Sequence, residues 1–373
     1  MHCMPAEWGL HEATWLTWPK NKITWPGKML QEVEAIYIQM MRALLPGEKV
    51  HLLVSDEKTG QRVLNLLRNK KVATQNLVLH KVKTVDTWIR DYGPIFVSPS
   101  VFYKFTFNAW GGKYKDLARD SDVVDRMNYL KKFKRIDSPM VLEGGSIDVN
   151  GQGVCLTTEQ CLLNPNRNPT LSKIDIENRI KKYLGVRQMI WLKKGIEGDD
   201  TDGHVDDIAR FVASNRILTA VENDTRDKNH EILKENLQIL KFLRDESGKK
   251  FKITECPMPG RVEVGKGHSA SGRLPASYAN FYIANQTILL PVYSHRNDQQ
   301  AAQILRGLFP KRKVVPIECT ALVYGLGSIH CVTQQQPATF LSSPALLRDI
   351  EEGVKEMREG KLLTRDRKNA FKK

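Results

Sequence analysis

Residues 325–331 read Gly-Leu-Gly-Ser-Ile-His-Cys, and Val332-Thr333-Gln334-Gln335-Gln336-Pro337 follow. A cysteine that closes a Gly-x-Gly turn has two readings. It is a buried core thiol, as most free cysteines are, or it is a nucleophile whose thiolate attacks a substrate. The choice depends on which other groups the chain holds ready, and that search leads outward from Cys331.

The chain has 373 residues, 41% hydrophobic and 27% charged, enough apolar content for a core and enough charge for a solvated surface. No run approaches the ~20 apolar residues of a membrane span, and Met1–Trp8 lacks the basic-then-apolar pattern of a secretory signal. The expectation is therefore a cytoplasmic protein with no membrane partner. The formal net charge of +15 invites a nucleic-acid reading. The basic residues are scattered, however, and no nucleic-acid motif accompanies them, so they read as a solvated surface. Six cysteines occur without a Cys-x-x-Cys pair or a Cys/His group at zinc spacing. Free thiols and no metal are expected.

Strand-like and helix-like stretches alternate. Apolar runs at 50–54, 77–82, 95–97, 153–158, 208–212, 281–284 and 287–292 read as strands. The helical candidates are 32–45, 59–69, 171–183, 229–246 and 298–308. This is an α/β or α+β layout. No Gly-x-Gly-x-x-Gly opens a helix and no Walker loop exists, so a nucleotide cradle is not expected. Residues 256–273, rich in Gly, Pro and polar side chains, form a surface loop or a lid.

Three further stretches combine Gly with aromatic or ionisable residues: Trp88-Ile89-Arg90-Asp91-Tyr92-Gly93-Pro94, Leu142-Glu143-Gly144-Gly145-Ser146 and Asp202-Gly203-His204-Val205-Asp206-Asp207. Each has a plain alternative. Arg90 and Asp91 could be a surface ion pair, Glu143 could sit on a hairpin, and His204 could cap a turn. If the chain is extended at 204–206, His204 and Asp206 share a face. Glu143, among apolar neighbours, must meet a cation or be protonated. Together with Cys331, these stretches supply a thiol, an imidazole and the three carboxylates of Asp91, Glu143 and Asp206. Carboxylates oppose thiolate formation, so the set makes sense if the substrate brings a compensating cation. A guanidinium does so, and its central carbon is an electrophile.

On these motifs the chain resembles the agmatine deiminase family, within the guanidino-group-modifying pentein superfamily and related to bacterial peptidylarginine deiminases. The resemblance runs from Met4-Pro5-Ala6-Glu7-Trp8 and His11–Pro19, through Trp110-Gly111-Gly112 and Leu162–Pro169, to Ile329–Pro337. It implies a pentein fold: a five-bladed α/β propeller with pseudo-fivefold symmetry and a central active site. That fold would make residues 1–360 a single catalytic domain and 361–373 a basic C-terminal tail. By motif position it implies Cys331 as nucleophile, His204 as general acid/base, Glu143 holding His204 or the substrate, and Asp91 and Asp206 gripping the guanidinium. Trp88 and Trp110 would wall the pocket. His330 is a second candidate base, set aside because neighbours on an extended strand face opposite ways. The implied reaction turns agmatine into N-carbamoylputrescine and ammonia without a cofactor, in putrescine synthesis. A homodimer is the family-level expectation.

Four positions depart from the family pattern. Leu326 stands for a glycine, Ser328 for an asparagine, and Asp202 and Asp207 for asparagines. Leu326 is strained if its φ is positive, unless the turn has shifted or tolerates negative φ. The extra carboxylates would deepen the site's negative potential. A deiminase of free or peptidyl arginine and a non-catalytic guanidine-binding protein remain alternatives.

Overall fold

The computed structural model describes residues 3–263 and 272–339. The tail at 361–373, the end of the expected 1–360 domain and the middle of the 256–273 loop lie outside the described residues.

Among the described residues sixteen strands form five sheets. The first sheet holds β1 (His11–Thr17), β2 (Lys49–Val54), β3 (Leu77–Lys81) and the last strand, β16 (Thr333–Pro337), in the order β16-β1-β2-β3. The other four have three strands each. They are β4 (Ile95–Ser98), β5 (Val101–Thr106) and β6 (Lys134–Val141); β7 (Asp148–Val149), β8 (Val154–Thr158) and β9 (Gln188–Leu192); β10 (Ala209–Ala213), β11 (Arg216–Val221) and β12 (Lys252–Pro257); and β13 (Tyr282–Ile283), β14 (Thr287–Val292) and β15 (Lys313–Glu318).

One pattern recurs in all five sheets. An antiparallel pair leads into a parallel neighbour: β16–β1–β2, β4–β5–β6, β7–β8–β9, β10–β11–β12 and β13–β14–β15. A parallel pair needs a crossover, usually a helix. Here α1 (Met29–Leu44) links β1 to β2, α2 (Glu57–Asn69) links β2 to β3, and α3 (Lys173–Leu184) links β8 to β9. Likewise α4 (Asn229–Phe242) links β11 to β12, and α5 (Asp298–Leu308) links β14 to β15. The exception is the β5–β6 crossover, which carries only short helical turns between residues 109 and 132.

Local chemistry explains the helix ends. Asp56 accepts the Thr59 amide at the start of α2, and Ser172 and Asp175 form a capping box on α3. Gly185 ends α3 at φ +67°, a left-handed cap that suits glycine. The strands expected from apolar runs are present within a residue or two. Residues 11–17 and 333–337, read only as motifs, are strands as well. They pair with each other, so the ends of the described chain share one sheet. Trp15, Leu16, Leu52, Ile190, Ile217 and Leu289 are fully buried beneath the helices. No helix among the described residues is long and apolar enough to cross a membrane.

Candidate active site

Each sheet begins with a short strand, and the segment just ahead of it carries a chemically capable side chain. Asp91 precedes β4, Glu143 precedes β7, His204 and Asp206 precede β10, Asn280 precedes β13, and Cys331 precedes β16. All six are buried, so five chain entries deliver their polar groups to one interior region. Close backbone approach is essential there. A Cβ on Gly145 would lie 2.6 Å from His204 Nδ1, 3.0 Å from Asp206 Oδ2 and 3.1 Å from Asp91 Oδ1. Gly145 therefore keeps three functional groups within reach of one point.

The bonds among these groups are specific. Asp91 accepts the Gly145 amide at 3.0 Å and the Trp110 indole N–H at 3.0 Å. His204 Nδ1 lies 3.8 Å from Asp91 Oδ1. Glu143 Oε1 takes Arg167 Nε at 2.6 Å, and Asp206 Oδ2 faces His330 Nδ1 at 2.7 Å. The Asn280 amide nitrogen donates to Asp207 Oδ1 at 2.9 Å and to Cys331 Sγ at 3.3 Å. Three buried atoms in this cluster have no partner: Glu143 Oε2, Asp206 Oδ1 and His204 Nε2. Leaving buried polar atoms unpaired costs roughly 1–3 kcal/mol each, so such atoms mark a place built for something that binds.

A cavity of about 440 Å³ opens onto the cluster, reaching Cys331, Asp91, Trp88 and Trp110 at its inner end. Tyr114, Asp116, Arg119, Asp200, Ile23 and Leu326 line it farther out. The irregular β5–β6 crossover supplies much of this wall, where a regular helix would run in the other units.

Burial, with Asp206, Asp207 and Asp91 nearby, pushes the Cys331 thiol well above its ordinary pKa. Burial and the neighbouring carboxylates Asp206 and Glu143 lift Asp91 to about 6, against the pull of His204. For His204, burial opposes the charged ring, but Asp91, the Cys161 thiol and Glu143 outweigh it and hold its pKa well above the usual value. Burial likewise opposes ionisation of Asp206, yet His330 and His204 keep its carboxyl below the usual range.

The Porphyromonas-type peptidyl-arginine deiminase family model matches residues 3–337. The chain belongs to this family. The agmatine deiminase of Medicago truncatula is 36% identical over 367 residues, covering 90% of this chain and 96% of that protein. The agmatine deiminase of Stutzerimonas stutzeri is 35% identical over 360 residues, covering 91% and 96%. Among solved structures, an Enterococcus faecalis agmatine deiminase described as catalysing its reaction superposes with a TM-score of 0.81 at 30% identity, covering 90% of this chain and 96% of that one.

Within this member of the family, several plain alternatives from the sequence fail. Arg90 makes no surface pair with Asp91. It is buried and donates to His330 O, Thr333 Oγ1, Gln334 Oε1 and Gln335 Oε1, and it lies 3.6 Å from Glu7. This explains the glutamines after Cys331: two hold Arg90, and Gln336 accepts the Trp15 indole N–H. Glu143 meets the expected cation, Arg167, and both side chains are fully buried. Gly144 and Gly145 serve close approach, since neither has positive φ.

Two geometric expectations need correction. Residues 205–207 form a 3₁₀ turn, so it is this turn rather than an extended strand that aims His204 and Asp206 together. Cys331 also lies in a turn, so strand alternation does not separate it from His330. The separation comes from His330 being clamped between Asp206 and Glu7, at 2.7 Å on each side. Leu326 does take positive φ, +69°, so the turn has not moved to relieve it.

The extra acids are largely neutralised. Asp202 binds Lys113 at 2.6 Å and Arg167 at 2.7 Å. Burial and Asp206 hold Asp207 well above the carboxylate range, favouring its neutral form. Sequence reading did not single out Arg167, Asn280, Glu7 or Cys161. Arg167 lay within a quoted motif, and an unpaired glutamate in an apolar stretch was the signal that a cation had to be found.

Proposed function

We propose that this protein is an agmatine deiminase, a hydrolase that converts agmatine to N-carbamoylputrescine and ammonia with Cys331 as nucleophile. The observation that carries the reading is a pair of buried carboxylate oxygens without hydrogen-bond partners, Glu143 Oε2 and Asp206 Oδ1, in the same cluster as Asp91 and Cys331, which line the cavity. A guanidinium offers a fork of N–H donors that such acceptors suit. The agmatine deiminase relatives, which match over most of the chain, support the substrate.

In this reading Asp91, Asp206 and Glu143 orient the planar cation, and Trp88 and Trp110 wall its plane. The arriving positive charge favours loss of the Cys331 thiol proton, which the empty site opposes. Sγ attacks the central carbon. The His204 imidazolium protonates the departing nitrogen and ammonia leaves. The amidino carbon is then held on Cys331 as a covalent amidino-cysteine (S-alkylisothiouronium) adduct. Neutral His204 takes a proton from water, the water oxygen attacks the same carbon, and the C–S bond breaks to restore the thiolate while the remaining hydroxyl proton leaves to solvent and the urea carbonyl forms. No cofactor enters this sequence. We place the reaction in the cytoplasm, in putrescine synthesis. We also propose that the five sheets close about a pseudo-fivefold axis as one pentein domain over 1–360, that 361–373 is a solvated tail, and that the chain forms a homodimer without nucleic-acid or membrane partners.

A second reading, a deiminase of free or peptidyl arginine, has its own support. Arg119 and Lys115 line the outer cavity, where they could meet a carboxylate, and the matching family model is named for peptidyl-arginine. Ammonia release with agmatine, arginine and a peptidyl-arginine, followed by intact mass of quenched protein, tests both. Turnover of agmatine with an adduct absent from Cys331→Ala supports the first reading. Turnover of arginine or the peptide instead moves the substrate to the second. Absence of turnover with all three leaves a guanidine-binding protein.

A further inference from the structure

Guanidinium recognition needs oxygen acceptors and has no use for a second thiol, yet the cluster contains one. Cys161 is fully buried, and its sulfur, a Glu143 oxygen and a His204 ring nitrogen all lie within 4.8 Å of one another. Two of these three residues each carry a buried atom without a hydrogen-bond partner, Glu143 Oε2 and His204 Nε2. The backbones that carry it are tied together. Thr158 Oγ1 accepts the Cys161 amide at 3.2 Å and donates to the carbonyl of Gly203, next to His204, at 2.6 Å. Arg167 fixes Glu143 from the far side, and Asp202 shares the guanidinium's charge.

A thiol, an imidazole and a carboxylate are the ligand set of a borderline-soft divalent metal such as Zn²⁺. Tetrahedral zinc would draw the three atoms to spacings of about 3.3–3.8 Å, a modest closure from the present limit. The long sequence separations of residues 143, 161 and 204 hide the set from any spacing motif. We infer that Glu143, Cys161 and His204 form a binding site for Zn²⁺, with the Cys161 thiol and the His204 imidazolium each releasing a proton to solvent as the Zn–S and Zn–N bonds form. Bound zinc would occupy two side chains that the proposed reaction needs, Glu143 and His204, so it inhibits. The inhibition rests on the proposed function; the binding does not.

The test uses the full, reduced, metal-free chain, titrated with Zn²⁺ against a chromophoric chelator and with Co²⁺ for the near-ultraviolet thiolate-to-cobalt band. One equivalent should bind. Cys161→Ser should abolish the band and weaken binding at least about tenfold, since losing even an outer-shell partner costs that much. Cys331→Ser should keep both. If Cys161→Ser fails to fold by circular dichroism, loss of zinc in His204→Gln supplies the same reading. No saturable binding overturns the site, as does binding that survives Cys161→Ser or disappears only in Cys331→Ser. Where agmatine is turned over, added Zn²⁺ should inhibit the parent far more than Cys161→Ser; equal inhibition overturns the inference. Where agmatine is not turned over, the proposed function fails, and the titration still decides the metal site.

Discussion

Two histidines divide the interior into contrasting regions. His330 sits in a block where every charge has a partner. Its nitrogens face Asp206 and Glu7; Glu7 also takes Arg210 at 2.8 Å; and Arg210 reaches Asp148 at 2.6 Å and the carbonyls of Ala279 and Phe281. His204 sits among groups left partly empty-handed: its own Nε2, Glu143 Oε2 and Asp206 Oδ1. Asp206 belongs to both regions. One oxygen is anchored by His330 and the other has no hydrogen-bond partner. A saturated network of this kind fixes geometry, while the unsaturated one holds capacity for a ligand.

If that contrast holds, substitutions in the unsaturated region should strike turnover and spare stability. Cys331→Ala should lower kcat at least about 10⁴-fold, because a nucleophile acts as a unit with its base, while the thermal midpoint stays near that of the parent. His204→Gln should cost about 10²–10⁴-fold in kcat, the range of general acid–base catalysis. A normal kcat in either variant breaks the assignment of roles.

The saturated region should respond in the opposite order. Arg210→Met removes a cation between two buried carboxylates and should destabilise the fold by about 3–5 kcal/mol in denaturant unfolding. Turnover per folded molecule should fall less than in the two site variants, since only the anchoring of Asp206 through Glu7 and His330 is disturbed. A stable Arg210→Met protein would mean that the block is not the scaffold described above.

The two regions were unequally legible in the sequence. Cys331, His204, Glu143, Asp91, Asp206 and Trp88 stood out because each is a polar or aromatic group in a short stretch that also holds glycine, Trp110 was added by the family resemblance, and the fold does bring them together. Their supports were hidden by distance along the chain. Glu7 and His330 are 323 positions apart, Arg210 and Glu7 203, and Cys331 and Asn280 51. No periodicity reports such pairings. The fivefold recurrence of antiparallel-then-parallel pairing was equally invisible, because it is a property of strand order and not of residue identity. Elements with a clear apolar period, such as Thr287–Val292 and Asp298–Leu308, were read directly. His11–Thr17 was not, since its buried histidine and threonines break the alternation that a strand usually shows.

The pH profile separates the regions by a smaller effect. Asp91 titrates at about 6, so its carboxylate is lost as pH falls through that value. Its grip on a cation should weaken in step, and kcat/KM should drop about tenfold per pH unit below 6, or ~1.4 kcal/mol. At the alkaline end, kcat should fall as the His204 imidazolium deprotonates, at a pH above the ordinary histidine value. Asp91→Asn should abolish the acid limb. An acid limb unchanged in that variant assigns it to another group.

The smallest effect tests the turn that started the reading. Leu326 holds φ +69° in a turn leading to Cys331, and it lines the cavity. A left-handed conformation costs an L-residue about 1–2 kcal/mol, while glycine's extra unfolded-state freedom gives back roughly 0.4–1 kcal/mol. Leu326→Gly should therefore stabilise the fold by about 0–1.6 kcal/mol in denaturant unfolding, less whatever packing the leucine gives up. The same change removes an apolar wall from the cavity mouth, so KM for agmatine should rise while kcat holds. A fall in kcat instead would mean that the leucine helps to set the position of Cys331. The strained residue would then belong to the reacting end of the site and not to its entrance.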